Sequence, residues 1–198
     1  MSFISSELND KIEKYGKVFR LNLAFDVVLE VQNLFKEDLT DIEKIQTAIN
    51  ILVINKRTLK GFTIQQKNDL LVDIFEEFIN IKPKRKSKDN KKVFDFEEDA
   101  EYIYSSFFMD YGIDLIEQQG RLHWRKFIAL FQGLSDNTKI KEIMSIRGRD
   151  IPEPTKYNQK ERQNLIELKS YYALDNVQEN YQDGLNALWG TLERMASN

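Results

Sequence analysis

Residues 82–92 contain no apolar side chain, and that gap limits what the chain can fold into more than any other feature. The run holds seven bases, one acid and one proline. It has nothing to bury and its like charges repel, so it reads as a basic, solvated and flexible linker. The next stretch is the reverse, since residues 93–119 carry eight acids and no base. The packed part must therefore come from the flanking segments. We expect a hairpin and helices over 1–81, an aromatic-rich helical part of the same domain over 93–174, and a helical extension over 175–198.

The expected fold class is mainly α. Tyr15-Gly16 separates Lys11–Glu13 from the alternating Phe19, Leu21 and Leu23, which predicts a small N-terminal β-hairpin. Two short strands are marginal alone and need helical cover. Asn22 is a predicted cap for a helix burying Phe25, Val28, Leu29 and Phe35. Thr40-x-x-Glu43 is a capping box, followed at helical spacing by Ile42, Ile45, Ile49, Leu52 and Val53. Thr63 opens the next helix, with Leu71, Ile74, Phe75, Phe78 and Ile79 on one stripe. Asp95-x-x-Glu98 is expected to begin a helix that buries Ala100, Ile103, Tyr104, Phe107 and Phe108 and ends at Gly112. A short helix is expected near Asp114–Gln118, then helices over 122–132, 136–147 and 158–173. The inward residues there are Trp124, Phe127, Ile128 and Phe131, then Ile140, Ile143 and Met144, then Leu165, Leu168 and Tyr172. Leu174, Tyr181, Leu185, Leu188, Leu192 and Met195 follow a heptad seam suited to pairing with another helix. Gly184 and Gly190 weaken that segment by roughly 1 kcal/mol each, so it needs a partner.

Composition removes several function classes. Without cysteine there is no disulfide framework, thiolate nucleophile or cysteine zinc site. A net charge of −3 gives no whole-molecule pull toward nucleic acid or anionic membrane. The opening residues carry no basic stretch followed by an apolar run, and no apolar run approaches a membrane span, so a cytoplasmic setting is expected. The single histidine, His123, has no serine or second histidine in a constellation with it and reads as structural. The acids Asp95, Glu97, Glu98, Asp99 and Glu101 could in principle hold magnesium, but stabilisation of a helix N-terminus accounts for them. No phosphate-binding loop, dinucleotide fingerprint, nucleophile elbow, zinc-protease helix or EF-hand loop occurs. The expectation is a protein that is not an enzyme and takes no cofactor or metal. The alternative is a nucleic-acid-associated protein acting through the basic run, which lacks interleaved aromatics for stacking on bases.

Aromatic residues make up 12% of the chain, and many lie between Phe94 and Phe131. The rings there cannot all fit one helical stripe, so some are expected on a protein-binding face. The same region carries a resemblance. The run from Phe94 to Phe107 resembles the signature of a bacteriophage family named after gene product fifteen. So do Asp110–Leu115, Leu122–Phe127, Gly133–Asp136 with Thr138-Lys139, and Ile146–Pro152. Tyr15-Gly16-Lys17-x-Phe19-x-Leu21-Asn22 fits the usual opening, and the likeness covers about residues 11–174.

That family is grouped, by resemblance, with the tail assembly chaperones of long-tailed phages. The resemblance implies a small, mostly helical protein encoded by a phage or prophage. It would bind the tape measure protein and keep it soluble until tail tube subunits polymerise around that client. It would work in the host cytoplasm and be absent from the finished virion. Many such proteins are made in a short and a frameshift-extended form.

On this reading, Tyr102, Phe108, Tyr111, Trp124, Phe127 and Phe131, together with Tyr181, Leu185, Leu188 and Leu192, are the candidate partner-binding residues. Lys84, Arg85 and Lys86 of one copy, facing Glu97, Asp99 and Glu101 of the next, are candidates for head-to-tail self-association into open oligomers. Neither membrane nor nucleic acid is an expected partner.

Overall fold

The computed structural model describes residues 7–80 and 92–175. It is mainly helical with one small antiparallel hairpin. Its described residues group into two units, the first formed by 7–80 with 119–127 and the second by 92–118 with 128–175. The basic run, apart from Lys92, and the heptad-patterned segment after Asp175 lie outside the described residues.

The first unit begins with strands β1 (Lys11–Lys14) and β2 (Lys17–Arg20), paired so that Ile12 opposes Phe19. Both central residues of the turn have positive φ, Tyr15 at 53° and Gly16 at 66°. Such a turn matches the twist of the strands, but it strains a residue with a Cβ by about 1 kcal/mol. Side-chain contacts oppose that strain. Tyr15 Oη donates to Asp69 at 2.6 Å, its ring meets Phe62 edge-on, and Lys14 pairs with Asp73. The edge of β2 is also covered, because Asn55 accepts from Arg20 N at 2.8 Å and donates to Val18 O at 2.9 Å.

Helix α1 (Phe25–Leu34) buries Phe25, Val28, Val31 and Leu34. Asn22 does not cap it: Ala24 holds the cap position, and Asn22 instead accepts from Ala24 N in a local turn. The helix start is tied to a distant segment, through Phe25 N to Leu122 O and Trp124 N to Leu23 O. Leu29 and Phe35, expected inside, are only half-buried. Helix α2 (Asp41–Leu52) carries the complete Thr40–Glu43 capping box. Its stripe is covered from Ile45 onward, and Ile42, in the first turn, is exposed. Helix α3 (Ile64–Ile74) has a second capping box, Thr63 with Gln66, and widens into a π-helical turn over Phe75–Ile79. That turn buries Phe75, Phe78 and Ile79.

In the second unit Asp95 caps a turn over residues 96–99, accepting from Glu97 N and Glu98 N. Helix α4 (Ala100–Tyr111) starts after this turn, four residues later than Asp95 alone implied, and ends at Gly112 with φ 63°. Its buried stripe is narrow: Ile103, Ser106 and Phe107. Ala100 and Phe108, expected on that stripe, are exposed, and Tyr104 is half-buried. Ser106 is inside because its hydroxyl donates to Tyr102 O and accepts from Ile140 N. The stretch after Gly112 is a series of turns rather than the expected short helix, with Asp114 accepting from Ile116 N and Glu117 N.

Helix α5 (Trp124–Gly133) contains the division between the units. Helix α6 (Lys139–Gly148) packs on α4 and on helix α7 (Gln159–Tyr171). Of the residues expected inward on these last helices, Ile140, Ile143 and Leu165 are buried. Met144 and Tyr172 are half-buried, and Leu168 is exposed.

Candidate protein-binding surface

Three of the rings expected to grip a partner are interior. Trp124, Phe127 and Phe131 are almost fully buried. Trp124 lies in the first unit, where its indole N–H donates to Ile79 O at 3.0 Å. Its ring stacks on Phe127, which stacks on Phe25. Phe131 closes a cluster with Phe94 and Phe96 in the second unit. These three side chains build cores and present no face to a partner, because helix α5 is covered on the side that carries them.

The charged candidates divide in the same way. Asp99 is buried and bound in a fork by Arg147, which donates to its two carboxylate oxygens at 2.6 and 2.9 Å. The same guanidinium donates to Val93 O at 3.1 Å and Tyr172 O at 2.6 Å. Asp95 N donates to Asp99, and Lys169 donates to Arg147 O. Asp99 therefore joins residues 93–95, α6 and the end of α7 within one unit, and offers no charge to a second copy. Glu97 and Glu101 are exposed. Lys84, Arg85, Lys86, Tyr181, Leu185, Leu188 and Leu192 lie outside the described residues.

His123 stands just ahead of α5, where its Nδ1 accepts from Arg125 N at 3.0 Å. The proton of the neutral ring then sits on Nε2, which lies 3.2 Å from Asp10. Burial pushes the imidazole below its ordinary value, against the opposing pull of Asp10. Both ring nitrogens thus face groups of the fold. Among the described residues, no three His, Asp or Glu side chains converge as metal ligands. No helix among them is long and apolar enough to cross a membrane.

The large apolar side chains that stay exposed in the ring-rich region lie in the last turn of α4 and in the turns after it. Phe108 is 56% exposed, Met109 66% and Ile116 65%. Tyr104 lies nearly parallel to Phe108, with centroids 6.5 Å apart, and its hydroxyl donates to Asp114 at 3.2 Å. Asp114 in turn holds the backbone of Ile116 and Glu117, which brings that turn to the Tyr104–Phe108 side of the helix. Burial, then the hydrogen bond and charge of Asp114 and the charge of Glu117, raise the Tyr104 pKa above its ordinary value. Tyr102 is half-buried, edge-on to Tyr172. Tyr111 is also half-buried, with its hydroxyl donating to Leu130 O. Gly133 allows that approach, since a Cβ there would come within 3.2 Å of the Tyr111 oxygen.

Met109 and Ile116 were not singled out from the sequence. Met109 lies two residues from Phe107, on nearly the opposite side of the helix, and this offset was a usable signal. Ile116 had no such signal, because its exposure depends on the turn after Gly112. Tyr157 and Tyr171 are exposed as well, at or near α7, where acids and bases are mixed.

Compared with models of known protein families, residues 4–174 match the one described as Bacteriophage Gp15 protein. No curated protein and no solved structure matches.

Proposed function

From the chain's membership of the Bacteriophage Gp15 protein family, we propose that this phage protein is a tail assembly chaperone that binds the tape measure protein. It keeps that long client soluble in the host cytoplasm until tail tube subunits polymerise around it, and it does not enter the virion. It acts by reversible binding and catalyses nothing. The observation that carries the reading is the exposed group Phe108, Met109 and Ile116, set within the residues that match the family. Solvent-exposed large apolar side chains concentrated at one helix end suit a partner helix that lays its own apolar stripe against them. Such contacts are individually modest, as a client that must later be displaced requires. Glu101 remains an exposed acid that a basic run of a neighbouring copy can meet in an open oligomer.

Co-expression with the tape measure protein of the same phage tests this. The client is expected in the soluble fraction and in complex with the chain. A client that still precipitates, with no complex recovered, would overturn the proposal.

A further inference from the structure

We propose that the face formed by Tyr104, Phe108, Met109 and Ile116 selects a helix whose apolar stripe is flanked by lysine and arginine. This deepens the chaperone reading and rests on it for the identity of the client, but the chemistry comes from the charges around the face. Asp110, Asp114 and Glu117 lie beside these residues, Glu101 lies one turn back along α4, and residues 93–119 contain no base. No base pairs with Glu101, Asp110, Asp114 or Glu117 among the described residues. The last turn of α4 has no basic residue to offset the negative end of the helix dipole and carries Asp110 instead. That arrangement works against the helix's own stability. Asp110 and Asp114 are also held in place, by Ser135 and by Tyr104 with the Ile116 backbone. Two of the carboxylates beside the exposed rings are therefore held in place without an ion pair, whereas the exposed Leu168 and Tyr171 sit on a helix of mixed charge. Across an apolar contact a fixed field of one sign favours a partner of the other sign and raises the association rate.

The test uses the full chain and three synthetic amphipathic helices of roughly twenty residues, enough to cover about 30 Å. All three share one leucine stripe and differ only in having lysine, glutamine or glutamate at the flanks. The lysine peptide is expected to bind roughly tenfold more tightly than the glutamate peptide at low salt, with the gap shrinking as salt rises. A triple variant, Phe108→Ser, Met109→Ser and Ile116→Ser, should lose that binding while keeping its circular dichroism and melting temperature. Equal or tighter binding of the glutamate peptide would overturn the proposal. So would lysine-peptide binding that survives the triple variant, since that is mere adsorption to acids. Self-association of the wild type that the triple variant abolishes and the lysine peptide cannot displace would assign the face to a second copy and overturn it as well. The two readings can fail separately. Peptide binding without a tape measure complex removes the chaperone role alone, and a tape measure complex that the triple variant retains removes this face alone.

Discussion

The two units solve the same problem of joining distant segments with different chemistry. In the first, segments 7–80 and 119–127 are joined by stacked rings and backbone bonds: Trp124 stacks on Phe127 and Phe127 on Phe25, Phe25 N donates to Leu122 O and Trp124 N to Leu23 O, and the indole N–H satisfies the π-helical turn at Ile79. In the second, a buried polar centre does that work, with Arg147 gathering Asp99, Val93 and Tyr172. Apolar contacts tolerate small displacements, whereas a buried ion pair is stable only while its geometry is complete. Both units leave large apolar side chains exposed, Val18, Ile42 and Ile54 in the first and Phe108, Met109 and Ile116 in the second. Those of the second lie in the last turn of α4 and the turns after it, in a stretch that carries no base.

The largest expected effect tests that contrast. Arg147→Met leaves the Asp99 carboxylate buried without its partner and should cost about 3–5 kcal/mol in urea unfolding. Arg147→Lys should recover only part of this, because an ammonium cannot donate in a fork to Asp99 while also reaching two carbonyls. Full rescue by lysine would show that charge alone matters. Next, Trp124→Phe removes the bond to Ile79 O and part of the stacked ring, at about 2 kcal/mol. Hydrogen exchange should place the loss of protection mainly in 7–80 for Trp124→Phe and mainly in 92–118 and 128–175 for Arg147→Met. Equal loss in both units for either variant would show that neither centre is confined to its own unit.

Thr40→Ala and Thr63→Ala each remove half of a capping box and should cost about 1 kcal/mol, detectable as a lower unfolding midpoint. The pH dependence of the first unit should carry a His123 component. Its folded pKa lies below the ordinary 6.5, so on acidification the unfolded chain takes up the proton first. The stability it contributes is full above about 6.5 and declines as pH falls below that value. His123→Asn keeps an acceptor for Arg125 N and removes the titration, so the melting temperature should fall less between pH 7 and 5. An unchanged slope would remove His123 from this role. Thr40 hydrogen bonds lower the Glu43 pKa, which adds a second loss at more acidic pH.

What was legible in the sequence was local. The hairpin turn, the Thr40–Glu43 capping box, the helix start at Thr63 and the stop at Gly112 each depend on residues within a few positions of one another. The family resemblance was legible too, because its words are contiguous. Burial of individual rings was not, because a ring-rich helix offers more apolar side chains than one stripe holds, and only the packed neighbours decide which face inward. Phe107 went inside and Phe108 outside, although they are adjacent. Asp99 looked like one acid in a run and proved to be buried, since its partner Arg147 lies far along the chain. Asn22 illustrates a third cause: a suitable cap residue was bypassed when tertiary pairing with Leu122 satisfied the helix start.

The most direct measurement is recovery of the tape measure protein with the wild-type chain and with the Phe108→Ser, Met109→Ser, Ile116→Ser variant, expressed side by side. The wild type is expected to hold the client soluble and bound, and the variant, equally folded, is expected to leave it in the pellet. A client that stays soluble and bound with both chains would contradict the claim that the exposed end of α4 is where this protein does its work.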